Sequence, residues 1–205
     1  MKLYYKPGAC SLSDHIALEW VGEDYEAINA TDSLKSPEYL KLNHLGKVPT
    51  LEIGDWTLTE NVAILNYLAD IHPESGLGGD GTPRSRAEIN RWLAFVNSDV
   101  HPAFHPLFGM RDYLGDPAMV EKTKAEARRK LRGYFELADA QLQQHEYIAG
   151  DTRSIADPYL FVVLRWAHAT KVDLDGLDAL ASYFERLRAD EGVQRAMRAE
   201  GLGTH

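Results

Sequence analysis

The sequence predicts an α/β domain followed by an all-helical domain, and three observations carry that prediction. In residues 1–71, short apolar runs alternate with segments of helical spacing, as in a sheet with crossover helices. Residues 72–83, HPESGLGGDGTP, contain four glycines and two prolines and can continue neither a helix nor a central strand. Beyond them the apolar spacing is helical. We therefore expect domains at residues 1–77 and 83–205.

The first domain is expected to run βαβα and to finish with a β-hairpin and a helix. Leu12, Ile16 and Trp20 recur every fourth residue, which places them on one face of a helix. Gly54-Asp55 separates two apolar runs and suits a two-residue hairpin turn. The predicted strands are 2–5, 25–29, 48–53 and 56–58, and the predicted helices are 11–21, 36–42 and 60–71.

Five helices are expected in the second domain. Residues 118–144 are rich in Ala, Leu, Glu, Lys and Arg, which are strong helix formers. In SIAD, Ser154 and Asp157 have the spacing of a capping box, which predicts the start of a buried helix and a structural role for both side chains. The predicted helices are 84–108, 118–144, 154–170, 177–189 and 191–200.

The composition limits the class of partner and the compartment. The chain has 205 residues and a net charge of −9, which argues against nucleic acid because phosphate binding needs a basic face. No apolar run approaches the length of about 18 residues that would suggest a membrane span. The N-terminal residues show no apolar signal segment, and a single cysteine fits a reducing compartment. We expect a cytoplasmic protein with no nucleic-acid or membrane partner.

The single cysteine, Cys10, begins a C-x-x-S segment at a predicted strand-to-helix corner. Unpaired N–H groups at a helix N-terminus favour a thiolate and would lower the pKa of this cysteine. Because the chain has no second cysteine, any disulfide needs an external thiol, and a small cellular thiol is the natural ligand. The alternative is that Cys10 is a small buried hydrophobic residue.

Two further motifs are typical of a site for a peptide-like ligand. In GKVP, a cis Pro49 would turn the Val48 N–H and C=O outward, where an extended ligand could pair with them as an added strand. In LTEN, Glu60 and Asn61 open a predicted helix whose N–H groups suit a carboxylate, while Glu60 could accept from an ammonium group. The alternatives are an ordinary loop proline and plain helix caps.

The segment HPAFHP, residues 101–106, predicts a kink in its helix. Each proline removes an N–H and crowds the carbonyl four residues earlier, so Ser98 should keep a free carbonyl near the cleft. His101 and His105 could share a metal, yet no third ligand is recognisable nearby. We favour a neutral His101 that donates to a thiolate or polarises a substrate, with His105 at the rim of the same pocket and no metal.

Four segments, in this order, resemble a cytosolic glutathione S-transferase. They are YYKPGACSLSDHIAL, GKVPTLEI, LTENVAILNYLAD and SIADPYLFVVLRWA. The bacterial beta class is the most similar, since it has a cysteine at this N-terminal position, and the resemblance covers nearly the whole chain. It implies a thioredoxin-like N-terminal domain that binds glutathione, a C-terminal helical bundle that binds an electrophile, and a homodimer.

The resemblance also implies roles for individual residues. Cys10 corresponds to the cysteine that lies against the glutathione sulfur, and His101 to the histidine that approaches the thiol; these two are the expected catalytic residues. Lys35 corresponds to a basic residue near the glycyl carboxylate. Ala94 departs from the pattern, because relatives often have a glutathione-binding Asn there. The expected glutathione contacts are Cys10, Lys35, Val48, Pro49, Glu60, Asn61, Ser98, His101 and His105.

Three functional hypotheses follow. In the first, the protein is a detoxifying transferase that conjugates reduced glutathione, its co-substrate, to hydrophobic electrophiles. In the second, Cys10 carries out glutathione-dependent thiol–disulfide exchange. In the third, the protein binds glutathione and hydrophobic ligands without catalysis. The sequence does not identify the electrophile, because fold-level similarity says little about that choice.

Overall fold

A computed structural model describes residues 1–109 and 115–203 of the chain. The first part forms strands β1 (Lys2–Tyr5), β2 (Glu26–Asn29), β3 (Thr50–Ile53) and β4 (Trp56–Thr59) and helices α1 (Leu12–Val21), α2 (Pro37–Leu42) and α3 (Asn61–Ile71). The strands join in the order β2-β1-β3-β4. β1 pairs in parallel with β2, and the β1–β3 and β3–β4 pairs are antiparallel. A parallel crossover and a hairpin thus share one sheet, as the sequence predicts.

Local chemistry sets where these elements begin. Ser36 accepts a hydrogen bond from the Tyr39 N–H and caps α2. The hairpin turns at Gly54-Asp55, where the glycine has φ +62°, a conformation that costs glycine little. β3 begins at residue 50 and not at 48 as predicted, because Pro49 has no N–H to donate to the ladder.

The elements of the second part are helices, which confirms the predicted fold class. A short 3₁₀ turn, Pro73–Ser75, precedes them. No helix in the described ranges is long and apolar enough to cross a membrane. The helices are α4 (Pro83–Phe95), α5 (His101–Ala103), α6 (Pro117–Leu142), α7 (Ala156–Ala169), α8 (Asp178–Ala189) and α9 (Glu191–Ala199).

The helix predicted over residues 84–108 contains a π-helical turn, Val96–Val100, and ends at Ala103, five residues earlier than predicted. A π-helical turn directly precedes His101, whose N–H donates to the carbonyl five residues earlier. Pro102 has no N–H and crowds the Ser98 carbonyl, which accounts for a wider turn at this point. The last helical turn, α5, follows the π-helical turn directly and carries His101.

One hydrophobic core runs through both parts of the chain. α1 packs against α3 in its own part and against α7 and α9 in the other. Every residue of α7 from Ala156 to Leu164 is buried, as expected of a helix at the centre of a bundle. The helix that follows Cys10, α1, therefore packs directly on helices α7 and α9 of the second part.

Asp157 is the buried polar centre of the helical part. Its Oδ2 accepts from the Ser154 N–H at 2.7 Å and from the Ser154 hydroxyl at 2.8 Å. Its Oδ1 accepts from the Ile148 N–H at 3.0 Å and from the Tyr183 hydroxyl at 2.9 Å. The bond to the Ser154 N–H is the one that a capping box makes, although α7 begins at Ala156. Asp157 therefore joins the start of α7 to α8 and to the preceding loop.

Replacing Asp157 by alanine should lower the free energy of unfolding by about 3 kcal/mol, because several buried donors lose their acceptor. Asp116 is a matched control, since it is exposed and caps α6 through the Ala118 N–H at 2.9 Å. Asp116→Ala should cost about 1 kcal/mol. Urea unfolding of both variants measures the difference, and equal losses would contradict the central role of Asp157.

Candidate active site

The loop that carries Cys10 lies against the segment that carries Val48. Cys10 precedes α1 by two residues, and its thiol donates to the Val48 carbonyl with an Sγ–O distance of 3.6 Å. The Val48–Pro49 peptide bond is cis, so of the two alternatives that the sequence left open for GKVP, the ordinary loop proline is wrong. Three of the residues singled out in the sequence are therefore brought to one place.

Burial decides the charge state of Cys10. The residue keeps some exposed surface, yet protein atoms crowd its sulfur. Burial, followed by the Asp14 carboxylate, raises the pKa of the Cys10 thiol to about 12, although the Ser11 and Cys10 N–H groups lower it. The prediction of a lowered pKa is wrong, because loss of water around the thiolate outweighs the favourable N–H groups. Cys10 is a protonated thiol at neutral pH.

Asn61 ties α3 to the turn that holds Cys10. It is buried, and its Nδ2 donates to Asp14 Oδ2 at 2.5 Å and to Ser13 Oγ at 3.1 Å. Ser13 in turn donates to the Cys10 carbonyl at 2.7 Å. The serine of the C-x-x-S segment is thus a structural hydroxyl, and the side chain of Asn61 is occupied within the protein.

Glu60 precedes α3 and faces solvent. Its φ is +75°, a backbone conformation that residues other than glycine rarely adopt and that is often found at functional sites. Its carboxylate is therefore accessible beside the first N–H groups of α3, where the sequence predicts recognition of an α-amino acid terminus.

The loop before Val48 is held by contacts that the sequence does not reveal. Gly46 has φ +58°, and a Cβ there would lie 2.6 Å from the Leu34 carbonyl oxygen, so glycine is required. Lys35, which is exposed, has its Nζ 3.4 Å from the Gly46 carbonyl oxygen. The carbonyl of the residue before Val48 accepts from the Tyr39 hydroxyl at 2.6 Å. Lys35 therefore stands beside a fixed backbone segment.

His101 lies among aromatic rings. Its ring packs edge-on against Trp166, with centroids 4.8 Å apart, and lies 6.1 Å from the ring of His105. Burial, with smaller contributions from His105 and Lys47, lowers the pKa of His101 to about 4. His101 is therefore uncharged at neutral pH, the state that the sequence interpretation favoured. The described residues contain no group of three or more metal-ligating side chains.

Of the remaining side chains near the π-helical turn, some are exposed and one is bound to α7. Ala94 and Ser98 are exposed. Asn97, which the sequence analysis did not select, accepts from the Tyr159 hydroxyl at 3.2 Å. The structure thus brings Asn97 into the network around His101, and Ser98 remains a prediction.

The helical part holds the Gly8 peptide, two residues before Cys10. The Gly8 N–H donates to Glu200 Oε2 at 2.9 Å, and its carbonyl accepts from Trp166 Nε1 at 2.8 Å. Glu200 is buried, and its Oε1 lies 3.0 Å from His15 Nδ1. The two partners of Gly8 are 192 and 158 residues away in the chain, so no local pattern could have revealed them.

Family models and relatives agree with this arrangement. Residues 1–70 match the glutathione S-transferase N-terminal domain, and residues 85–191 match the glutathione S-transferase C-terminal domain. A glutathione S-transferase of Xanthomonas campestris pv. campestris is 56% identical over 203 residues, which cover 98% of this chain and 100% of the relative.

Solved structures give the same result. A glutathione S-transferase from Xylella fastidiosa has a TM-score of 0.96 and 54% identity over 98% of this chain and 99% of its own. A bacterial beta-class enzyme from Sphingomonas chungbukensis has a TM-score of 0.87 and 36% identity over 99% and 100%. The chain therefore belongs to the glutathione S-transferase family, with a thioredoxin-like N-terminal domain and a helical C-terminal domain, and it is a glutathione transferase similar to the bacterial beta class.

Proposed function

We propose that this transferase conjugates reduced glutathione to hydrophobic electrophiles, with the glutathione sulfur and not Cys10 as the nucleophile. One observation carries the proposal: the Cys10 thiol lies against the Val48 segment and donates to the Val48 carbonyl, in a position where burial raises its pKa to about 12. At that pKa only about one thiol in 10⁵ is ionised at pH 7, and the thiolate is the attacking form. Cys10 therefore acts as a hydrogen-bond donor.

Glutathione binds in an extended conformation along Val48 and Pro49. A sphingomonad glutathione S-transferase has been solved in complex with glutathione, which supports binding of the same ligand here. A cysteinyl residue that pairs with the Val48 backbone brings its sulfur to Cys10, because the Cys10 thiol touches the Val48 carbonyl. Lys35 receives the glycyl carboxylate, and Glu60 receives the γ-glutamyl ammonium group.

The first turn of α3 receives the γ-glutamyl carboxylate, because its N–H groups have no helical partners. The backbone of Asn61 contributes to this contact, while its side chain stays bound to Asp14. Ser98 and His105 remain proposed contacts through the Ser98 carbonyl and the rim of the electrophile pocket.

The glutathione sulfur is activated by neutral donors around it. The N–H groups of Cys10 and Ser11 lower the pKa of the Cys10 sulfur, and they act in the same sense on a ligand sulfur beside it. His101 adds a ring N–H without adding charge, because its pKa is about 4. The glutathione proton leaves to solvent, and the thiolate then attacks the electrophilic carbon; a halogenated aromatic releases halide as the C–S bond forms, and an epoxide opens at its C–O bond.

Thiol–disulfide exchange is a second activity that the position of Cys10 favours. The Cys10 thiolate attacks the glutathionyl sulfur of a mixed disulfide and expels the other thiolate. A second glutathione thiolate then attacks the glutathionyl sulfur held on Cys10, which releases Cys10 and glutathione disulfide. The raised pKa of Cys10 makes the first attack slow, so we expect exchange to be weaker than conjugation.

Family membership is the basis for proposing the oligomeric state, the compartment, the physiological role and the domain bounds. We expect a homodimer in the cytoplasm that serves detoxification, with domains at residues 1–77 and 83–205. Light scattering on the intact chain tests the dimer, which should have twice the mass of one chain.

Replacing Cys10 by alanine should keep kcat/KM for conjugation within about fivefold of wild type, because a neutral donor contributes roughly 1 kcal/mol. The same change should abolish reduction of glutathione mixed disulfides. The measurement is a panel of halogenated aromatics, epoxides and peroxides, beside a mixed-disulfide assay. Cys10→Ser keeps a donor and is the matched control, with wild-type conjugation and no exchange. A loss of conjugation of about 100-fold in folded Cys10→Ala protein would refute this division of roles.

Alkylation by iodoacetamide tests the charge state of Cys10 directly, because the chain has one cysteine. The rate should rise about tenfold for each pH unit from pH 6 to pH 9 without levelling, since the thiolate fraction grows until the pH nears the pKa of about 12. In denaturant the rate should level off above about pH 8.5, the ordinary range of a cysteine. A plateau below pH 8 in the folded protein would mean that the helix N-terminus prevails over burial.

A further inference from the structure

A cavity of about 370 Å³ lies between α7, α8 and α9, a volume in the range of small-molecule sites. Three of its lining residues, Phe161, Arg165 and His168, recur along α7 at helical spacing and share one face of that helix. Trp166 projects about 100° further round the helix, where it donates to the Gly8 carbonyl of the active-site turn. The cavity is therefore separate from the site described above.

The cavity has an apolar wall. The ring of Phe161 stacks on that of Phe184 of α8, with centroids 5.2 Å apart and 20° between the planes. Met197 of α9 also lines the cavity. Phe161 and Met197 are buried, while Phe184 keeps part of its surface exposed. Such a wall suits the body of an apolar or aromatic ligand.

Arg165 supplies a cation whose hydrogen-bonding capacity is unused. Among the residues that the structure describes, none forms a hydrogen bond or an ion pair with its guanidinium. Burial lowers the pKa of Arg165, and the charge of Glu200 raises it; an arginine nevertheless stays charged. The Glu200 oxygens are bound elsewhere, Oε2 to the Gly8 N–H and Oε1 to His15. The partly buried guanidinium therefore retains donors for an anion.

The other polar groups of the cavity favour an anion with a single charge. Arg188 Nε donates to Glu185 Oε2 at 2.9 Å, so these two charges offset each other. Burial lowers the pKa of His168, although Glu185 raises it, so the imidazole is largely uncharged at pH 7. Among the described lining residues, the net positive charge is thus that of Arg165. A guanidinium matches the two oxygens of a carboxylate.

We propose that this cavity binds a small hydrophobic monocarboxylate, with the carboxylate on Arg165 and the apolar body against Phe161 and Phe184. This site is additional to the glutathione and electrophile sites of the proposed function. It adjoins the active-site turn, because a Cβ on Gly8 would lie 3.9 Å from Arg165 Nη1. The partial burial of the guanidinium strengthens the ion pair, since less water surrounds it than at an open surface.

The test is isothermal titration calorimetry of the intact chain with 2-naphthoate and with 2-naphthamide, its uncharged counterpart. The naphthoate should bind at least about tenfold more tightly, since only it forms a charge-assisted pair. Arg165→Gln should remove that difference. Arg165→Lys should restore only part of it, because an ammonium group lacks the planar fork of a guanidinium.

Arg195→Gln is the matched control. Arg195 belongs to α9 but lies outside the residues that line the cavity, and its Nε donates to Glu19 at 2.6 Å. The affinity for naphthoate should therefore stay at the wild-type value in this variant, and circular dichroism checks that each variant is folded. No binding of naphthoate to wild type, equal affinity for the two probes, or unchanged binding in folded Arg165→Gln would each overturn the inference.

The position of the probe needs its own measurement, because the electrophile pocket is also expected to be apolar. In wild type, NMR Overhauser contacts should join the naphthoate protons to the rings of Phe161 and Phe184. The rings of Phe108 and Trp166, which pack with centroids 5.2 Å apart, mark the side of α7 that faces His101. Contacts to those two rings alone would place the probe in the electrophile pocket and would contradict the proposed site.

Discussion

The active-site geometry depends on how the helical domain holds the Gly8 peptide. Backbone N–H and C=O groups left without partners are costly, and here the N–H and the carbonyl of Gly8 are both satisfied from the other domain, by Glu200 and Trp166. These two bonds fix the direction of the chain two residues before Cys10. The sheet domain therefore supplies the turn, and the helical domain supplies the partners that orient it. Trp166 has a second role, because the same indole packs against His101.

Burial acts in one direction on the ionisable groups around this turn. It is the largest cause of the raised pKa of Cys10, Asp14 and Tyr159 and of the lowered pKa of His101. Loss of water disfavours the charged form of every such group. Each pKa shift therefore favours the uncharged side chain. We expect the negative charge at this site to be that of the bound glutathione thiolate.

The sequence was sufficient where local chemistry decides the structure. A few adjacent residues are enough to predict three features: the Gly54-Asp55 hairpin, the glycine-rich break before α4 and the irregular helical turn before Pro102. The pKa of Cys10 could not be predicted, because the helix N-terminus is visible in the sequence while the crowding around the sulfur is not. Tyr159 and Glu200 were missed for a related reason: their contacts join residues far apart in the chain. The signals available for them were a hydroxyl-bearing residue within the apolar, buried stretch of α7 and an acidic residue directly after the amphipathic helix α9.

A protonated Cys10 also explains how a second sulfur can sit beside a reactive thiolate. Two negative sulfurs a few ångströms apart repel strongly where water is excluded, so ionisation of glutathione raises the pKa of Cys10 further. The site therefore holds one thiolate at a time, and the Cys10 S–H is free to exchange its bond to the Val48 carbonyl for one to that thiolate. Because two thiols form a disulfide only when an oxidant removes two electrons, this pair stays reduced in the presence of glutathione alone. The cysteine thus stabilises the reacting sulfur as a donor without competing with it as a nucleophile.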